Sequence, residues 1–161
     1  MYKSKRMLGL VFLSVIVLTL VASGCGSKTE EVPPLKIGQL NSFTGDLSDF
    51  GGAHRNASAL AADHVNQAGG VLGTVVTIVA RDTATNPVQG VDSARALVEV
   101  EKVAAIVGAL ASGVTIPIAE SVTVPNNILQ MSAASTSPGI TVLTDNDFLF
   151  RTTVSDAVQG V

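Results

Sequence analysis

Two short segments rich in small and hydroxyl-bearing residues carry the strongest chemical signal in this chain. Residues 108–117 read GALASGVTIP, and residues 132–138 read SAASTSP. Each follows a short apolar stretch that predicts a buried strand, and the first precedes a predicted helix. Because neither segment contains a charged side chain, its polar capacity lies in hydroxyl and backbone groups. Such segments either admit a small polar molecule close to the backbone or simply form tight turns.

The two segments are suited to opposite charges. Ser112 and Gly113 stand at the N-terminus of the helix predicted over 114–122, where unpaired N–H groups and the helix dipole favour an anion. Residues 132–138 offer hydroxyls and carbonyls, which suit an ammonium group. Together they predict half of a cradle for the charged portion of an amino acid.

Catalytic, metal and phosphate sites are not supported by the residue spacing. Ser112 lacks the glycine two places before it that a nucleophile elbow uses. His54 and His64 fall on or beside one predicted helix without the HExxH context of a zinc site. Gly108 and Gly113 are spaced like P-loop glycines, but no lysine follows them. We therefore expect a binding protein with no cofactor rather than an enzyme.

The predicted elements alternate between strands and helices. Apolar and β-branched runs predict strands at 35–40, 75–79, 103–107, 128–131 and 148–151. Helical periodicity predicts one helix over 53–68, a second that begins after the N-cap Asn86, and a third over 114–122. Ser155 could cap a further helix. This order is typical of an α/β fold, a parallel sheet with helices on both faces. Ligands of such sheets bind beyond the carboxyl ends of the strands, where both hydroxyl-rich segments lie.

The N-terminus is typical of an export signal. A basic head precedes an apolar run over residues 7–22 and then Ser-Gly-Cys25. A membrane-spanning helix is the alternative, but the run is short for one. Residues 22–25, ASGC, resemble a bacterial lipobox, which predicts a lipoprotein signal peptide over 1–25 and a lipid on Cys25; an ordinary signal with an incidental cysteine is the other reading. Residues 26–34, GSKTEEVPP, predict a flexible tether. The chain is thus expected outside the cytoplasm, in the periplasm or on the cell surface, anchored to a membrane.

Charge and composition argue against nucleic acid as a partner. The chain has 10 Lys and Arg against 13 Asp and Glu, and removal of three basic residues with the signal leaves seven against thirteen, a net charge of −6. There is no Trp and only one Tyr, so stacking on bases has little support.

Six segments in order resemble the type I periplasmic binding proteins of the leucine/isoleucine/valine-binding family. They are LKIGQLNSFTG, NQAGGVLG, RDTATNPVQGV, IVGALASGVTIP, ILQMSAASTSP and FRTTVSDAVQG, from residue 35 onward. Members of that family are extracytoplasmic receptors of ABC importers. The resemblance implies a solute-binding component that delivers a branched-chain amino acid or a related small polar solute to an ABC permease. A sensory domain that responds to amides or urea, on the same fold, and a non-binding envelope lipoprotein are the alternatives.

The resemblance also implies roles for single residues. Ser112 is expected to bind the ligand carboxylate through its hydroxyl and its N–H. The carbonyl of Ala134 and the hydroxyl of Thr136 are expected to take the ammonium, and Phe50 of the first loop to line the pocket. The ligand-binding residues expected are Phe50, Ser112, Gly113, Ala134, Ser135 and Thr136.

Family members have two lobes that close on the ligand, whereas this sequence stops at Val161. Residues 35–161 are therefore expected to form an incomplete N-terminal lobe, with the second lobe absent. Since lobe closure supplies much of the burial, we expect this chain alone to bind with millimolar affinity or not at all.

Overall fold

The structure is a computed structural model that describes residues 32–159. The expected signal peptide, Cys25 and most of the expected tether lie outside the described residues. The strands are β1 (Leu35–Asn41), β2 (Val76–Asp82), β3 (Ala105–Val107), β4 (Leu129–Ser132) and β5 (Leu149–Arg151). The helices are α1 (Ser48–Gln67), α2 (Pro87–Arg95), α3 (Ser112–Ile118) and α4 (Asp156–Gln159), with a 3-10 turn at Pro138–Ile140. Wider π-helical turns continue α2 through Ala96–Val100 and α3 through Ala119–Thr123.

The five strands form one parallel sheet in the order β2-β1-β3-β4-β5. β1 is paired with β2 over its whole length and with β3 at Ile37–Gln39. The chain order therefore reverses at β1, which has β2 on one side and β3 on the other. In open parallel sheets a crevice forms at such a point, outside the carboxyl ends of the strands. The loops after β1, β3 and β4 all emerge at that edge.

The main core lies between the sheet and the helices α2 and α3. Leu40 and Ile106 point from the central strands into this core, where they meet Leu97 of the α2 extension and Ile118 of α3. Gly38 permits the close packing here, since a Cβ at this position would lie 2.9 Å from Leu97. Such burial of aliphatic side chains stabilises each by roughly 1.5–3 kcal/mol.

The opposite face of the sheet is covered only in part. α1 packs against β1 and β2 on this face. Farther along the sheet, Leu129, Met131 and Phe150 remain 39%, 37% and 43% exposed. Within residues 32–159, no helix combines the length and the apolar character needed to cross a membrane.

The α/β prediction is confirmed, but several boundaries shift; β2, predicted over 75–79, runs three residues farther, to Asp82. The first helix begins at Ser48 instead of residue 53, so Phe50 lies in its first turn and not in the loop between the first predicted strand and helix. The third helix begins at Ser112 instead of residue 114. β3 is shorter than predicted and begins at Ala105, since the Val103 N–H bonds to the carbonyl of Leu97 and not to a strand. The Asn86 cap is confirmed, since its side-chain oxygen accepts from the N–H groups of Val88 and Gln89.

Candidate functional site

The glycines of the segment after β3 have two different roles. Gly108 has a φ of 126°, and a Cβ there would lie 2.0 Å from the carbonyl oxygen of Leu40. Only glycine fits this turn without strain. Gly113 is exposed, and a Cβ there would meet nothing within 4 Å. The tight turn therefore explains Gly108 but leaves Gly113 free to admit a ligand.

The first turn of α3 presents donors at the carboxyl edge of the sheet. Ser112 is the first helical residue, after Ala111 in extended conformation. Its N–H and that of Gly113 fall among the first groups of a helix, which have no partner within the helix. The hydroxyl oxygen of Ser112 accepts the N–H of Ser137 at 3.1 Å. This bond fixes the oxygen and leaves the hydroxyl proton available to donate to an anion.

A buried hydroxyl network joins the loop after β3 to the loop after β4. The Ala109 carbonyl accepts from the hydroxyls of Ser132 at 2.6 Å and Thr115 at 3.2 Å. The Thr115 and Ser135 hydroxyl oxygens lie 2.7 Å apart. Ser135 also donates to the carbonyl of Leu110 at 3.2 Å. Hydroxyls therefore fix the two loops to each other behind the site.

This network gives Ser135 a role other than the one expected from the sequence. Its relative exposure is 0%, and its hydroxyl is bonded inside the protein. The geometry does not place that hydroxyl against a solute, because it would have to leave four protein partners: the hydroxyls of Thr115 and Ser132 and the carbonyls of Ala109 and Leu110. Ser135 instead positions its neighbours Ala134 and Thr136, which are half-buried at the surface of the loop.

Thr136 is held at its backbone and not at its side chain. Its carbonyl accepts the N–H of Asp156 at 2.9 Å, which connects the loop to the start of α4. Ala134 lines a cavity of about 160 Å³ at the carboxyl edge, together with Leu47, Phe50, His54 and Leu110. Phe50 is 55% exposed and forms one wall of this cavity. Ala134 and Phe50 are thus brought together as expected.

Asp82 holds the first loop in place. One carboxylate oxygen accepts the N–H groups of Phe43, Thr44 and Ala84 at 2.9–3.2 Å, and the other accepts the Thr44 hydroxyl at 2.5 Å. Burial alone would raise the pKa of Asp82. The hydrogen bonds to its carboxylate outweigh this effect and lower the pKa, and the bond from the Thr44 hydroxyl contributes most among them. The carboxylate therefore remains ionised and keeps the loop that leads to α1 fixed.

Two residues of the site were not singled out as such from the sequence. Gln130 is fully buried in β4. Its side-chain nitrogen donates to the carbonyls of Gly108 at 3.1 Å and Thr115 at 3.4 Å. Its side-chain oxygen accepts a hydrogen bond from the Thr123 hydroxyl at 2.8 Å. A glutamine at the centre of an apolar strand was the only available signal. His54 was considered for catalysis and metal binding, whereas the structure places it in the wall of the cavity. Among residues 32–159 no cluster of His, Cys, Asp or Glu could hold a metal ion.

Comparison with known proteins identifies the family. Residues 34–161 match the periplasmic binding protein family, so the chain belongs to that family. It is 32% identical over 129 residues to the Leu/Ile/Val-binding protein BraC3 of Rhizobium johnstonii, covering 80% of this chain and 34% of the relative. It is 32% identical over 151 residues to an amino acid binding protein of Pseudomonas aeruginosa, covering 94% of this chain and 40% of the relative.

Solved structures show the same fold. The branched-chain amino acid transporter substrate-binding protein LivJ of Streptococcus pneumoniae, in complex with isoleucine, superposes with a TM-score of 0.73 at 30% identity over 79% of this chain and 36% of LivJ. The leucine-binding protein LivK of Thermotoga maritima gives a TM-score of 0.70 at 29% identity over 78% of this chain and 34% of LivK. The chain therefore spans little more than a third of these relatives.

Proposed function

We propose that this protein is the extracytoplasmic solute-binding component of an ABC importer, and that it binds a branched-chain amino acid or a related small polar solute. The carboxylate of the solute is received by the Ser112 hydroxyl and by the N–H groups that begin α3. The ammonium is received by the Ala134 carbonyl and the Thr136 hydroxyl. The solute side chain occupies the cavity beside Phe50. The protein's role is binding, and no reaction step is assigned to it.

One observation carries the proposal. The start of α3 and the loop after β4 stand on neighbouring parallel strands, and the bond from the Ser137 N–H to the Ser112 hydroxyl oxygen joins them at 3.1 Å. Donors for a carboxylate and acceptors for an ammonium are thus held side by side. The cavity of about 160 Å³ is smaller than the roughly 300–1,000 Å³ of ligand pockets that enclose their ligand, as expected for one wall of a site.

Titration of the labelled chain with amino acids tests the proposal. We expect L-leucine at millimolar concentrations to shift the amide resonances of Ser112, Gly113 and Thr136 in a ¹⁵N–¹H correlation spectrum. Leucinol, which lacks the carboxylate, and 4-methylpentanoate, which lacks the ammonium, should each shift them far less. Urea or acetamide acting in place of leucine would favour the sensory alternative, and shifts as large with either analogue as with leucine would contradict the contacts assigned at this site.

A variant of Ser112 tests the assigned contact. In the full-length protein, Ser112→Ala should weaken binding by roughly 1–3 kcal/mol, or about 5- to 150-fold, the range for losing a hydrogen bond to a charged group. Ser121→Ala is the matched control, because Ser121 lies exposed on the extension of the same helix and its hydroxyl bonds to Pro117. Equal affinities for the two variants would contradict the role of Ser112.

The membrane anchor and the permease are further parts of the proposal. The ASGC sequence at residues 22–25 supports lipid attachment at Cys25, and family membership supports a location outside the cytoplasm. When cells that express the chain are grown with a radiolabelled fatty acid, the wild-type protein should become radiolabelled and the Cys25→Ser variant should not. Recovery of the wild-type protein in the aqueous phase after detergent phase separation would contradict lipid attachment.

A further inference from the structure

A buried acceptor beneath the proposed solute site has no hydrogen-bond partner among the described residues. Gln39 lies in the middle of β1 with only 3% relative exposure, and its oxygen Oε1 is buried and unpaired within residues 32–159. An unpaired buried acceptor costs about 1–3 kcal/mol, so native proteins generally supply a partner for it. The residue therefore requires an explanation.

The orientation of the Gln39 amide is fixed by its neighbours. The nitrogen Nε2 donates to the carbonyl oxygen of His54 at 2.9 Å and to the hydroxyl of Ser58 at 2.8 Å. A carbonyl oxygen only accepts, so the nitrogen must face His54. A flipped amide would place two acceptors together and leave the nitrogen unpaired. Oε1 therefore stands on the other side of the amide, away from its α1 partners.

A small cavity beside Gln39 has room for one hydroxyl-sized group. Its volume is about 20 Å³, and Gln39, His54, Gly108, Leu110 and Ala133 are among its lining residues. A cavity of at least roughly 10–15 Å³ on this measure holds one water molecule when polar partners are present. His54 and Leu110 also line the cavity at the strand ends that the proposed function assigns to the solute side chain. The small cavity thus adjoins that site, and through His54, Ser58, Val107 and Ala133 it also adjoins an apolar groove of about 380 Å³ beside α1.

We propose that Gln39 Oε1 is the acceptor of a site for one O–H donor beneath the solute. The donor has two possible sources: a single buried water molecule, or the side-chain hydroxyl of a bound solute. In the second case Gln39 determines specificity, because a site that accepts a hydrogen bond discriminates against an isostere that cannot donate one. This second case depends on the proposed function, whereas the first does not.

L-threonine and L-valine separate the two sources, since they are isosteric and differ in one hydroxyl group. If the solute supplies the donor, threonine should bind about tenfold or more tightly than valine, with the amide shifts of Ser112 and Thr136 as the readout. Gln39→Met, which keeps the length of the side chain and removes its polar atoms, should abolish that preference. Gln67→Met makes the same change at an exposed position of α1 and should retain the preference.

If water supplies the donor, threonine and valine should bind alike, and the backbone amide of Leu110, which lines the same cavity, should show a dipolar cross-peak to a long-lived water that is absent from Gln39→Met. Gln39→Leu, which also removes the polar atoms, serves as a second variant where Gln39→Met fails to fold, and it should likewise lose the cross-peak or the preference. Equal binding without a water cross-peak would overturn the proposal. Absence of every amide shift is the outcome expected if an incomplete lobe does not bind on its own, and the water cross-peak then decides this proposal.

Discussion

Gly108→Ala is expected to destabilise the chain strongly, because two separate costs fall on the new methyl group. A φ of 126° lies where residues with a Cβ are rare, and holding one there costs about 1–3 kcal/mol. The methyl carbon would also stand 2.0 Å from the Leu40 carbonyl oxygen, which belongs to the neighbouring strand. That oxygen is backbone, so relief requires the loop to move away from β1. We expect a loss of at least about 3 kcal/mol of the free energy of unfolding.

The same segment supplies the control. Gly113→Ala places a methyl group where nothing lies within 4 Å, and alanine favours the helix over glycine by up to about 1 kcal/mol. This variant should therefore be as stable as the wild type or slightly more stable. Two glycines five positions apart should respond in opposite directions.

Urea unfolding followed by far-ultraviolet circular dichroism measures both effects. With a slope of roughly 1–3 kcal/mol/M, a loss of about 3 kcal/mol moves the midpoint down by about 1 M or more. A Gly108→Ala midpoint equal to that of the wild type would refute the steric argument. Equal destabilisation by the two substitutions would also refute it, since the loop would then need flexibility and not one particular conformation.

Gln130→Leu should lower the free energy of unfolding by about 2–4 kcal/mol in the same assay, because it leaves the buried Thr123 hydroxyl and the Gly108 carbonyl without their partner. A loss under about 0.5 kcal/mol would contradict the role of Gln130. The lowered pKa of Asp82 in the folded chain means that its ionised form adds stability above the unfolded pKa near 3.9, and that this stability is lost as the pH falls through the folded pKa. Asp82→Asn should therefore reduce stability at neutral pH and flatten its decline in acid, as urea midpoints measured from neutral to acid pH would show; parallel curves for the two proteins would contradict the assignment.

Much of the architecture follows from local patterns in the sequence. Runs such as VTIV in β2 prefer extended structure because their side chains are β-branched, and the Asn86-Pro87 pair starts a helix by capping it. The alternation of strands with helices implied a parallel sheet, since parallel strands need long crossover connections. Periodicity placed the start of α1 too late, however, because residues 48–52 contain two glycines and few apolar positions.

The candidate site was predictable in its location but not in the contacts of its members. Composition placed hydroxyl-rich segments after β3 and β4, and parallel pairing brings those strand ends together. Ser135 and Ser112 are both serines in small-residue turns, and nothing local distinguishes them. Only the packing of the two loops buries the first and leaves the second at the surface.

The sequence by itself determined which elements form and at which edge of the sheet polar groups gather, because both depend on neighbours along the chain. Tertiary structure alone decided which atoms are satisfied and which remain open. Gln39 illustrates the difference: its nitrogen bonds to α1, 15 and 19 residues away, and its oxygen does not. Hydrogen bonds between distant segments depend on distances of a few tenths of an ångström, and these are fixed only when the whole sheet and its helices have packed.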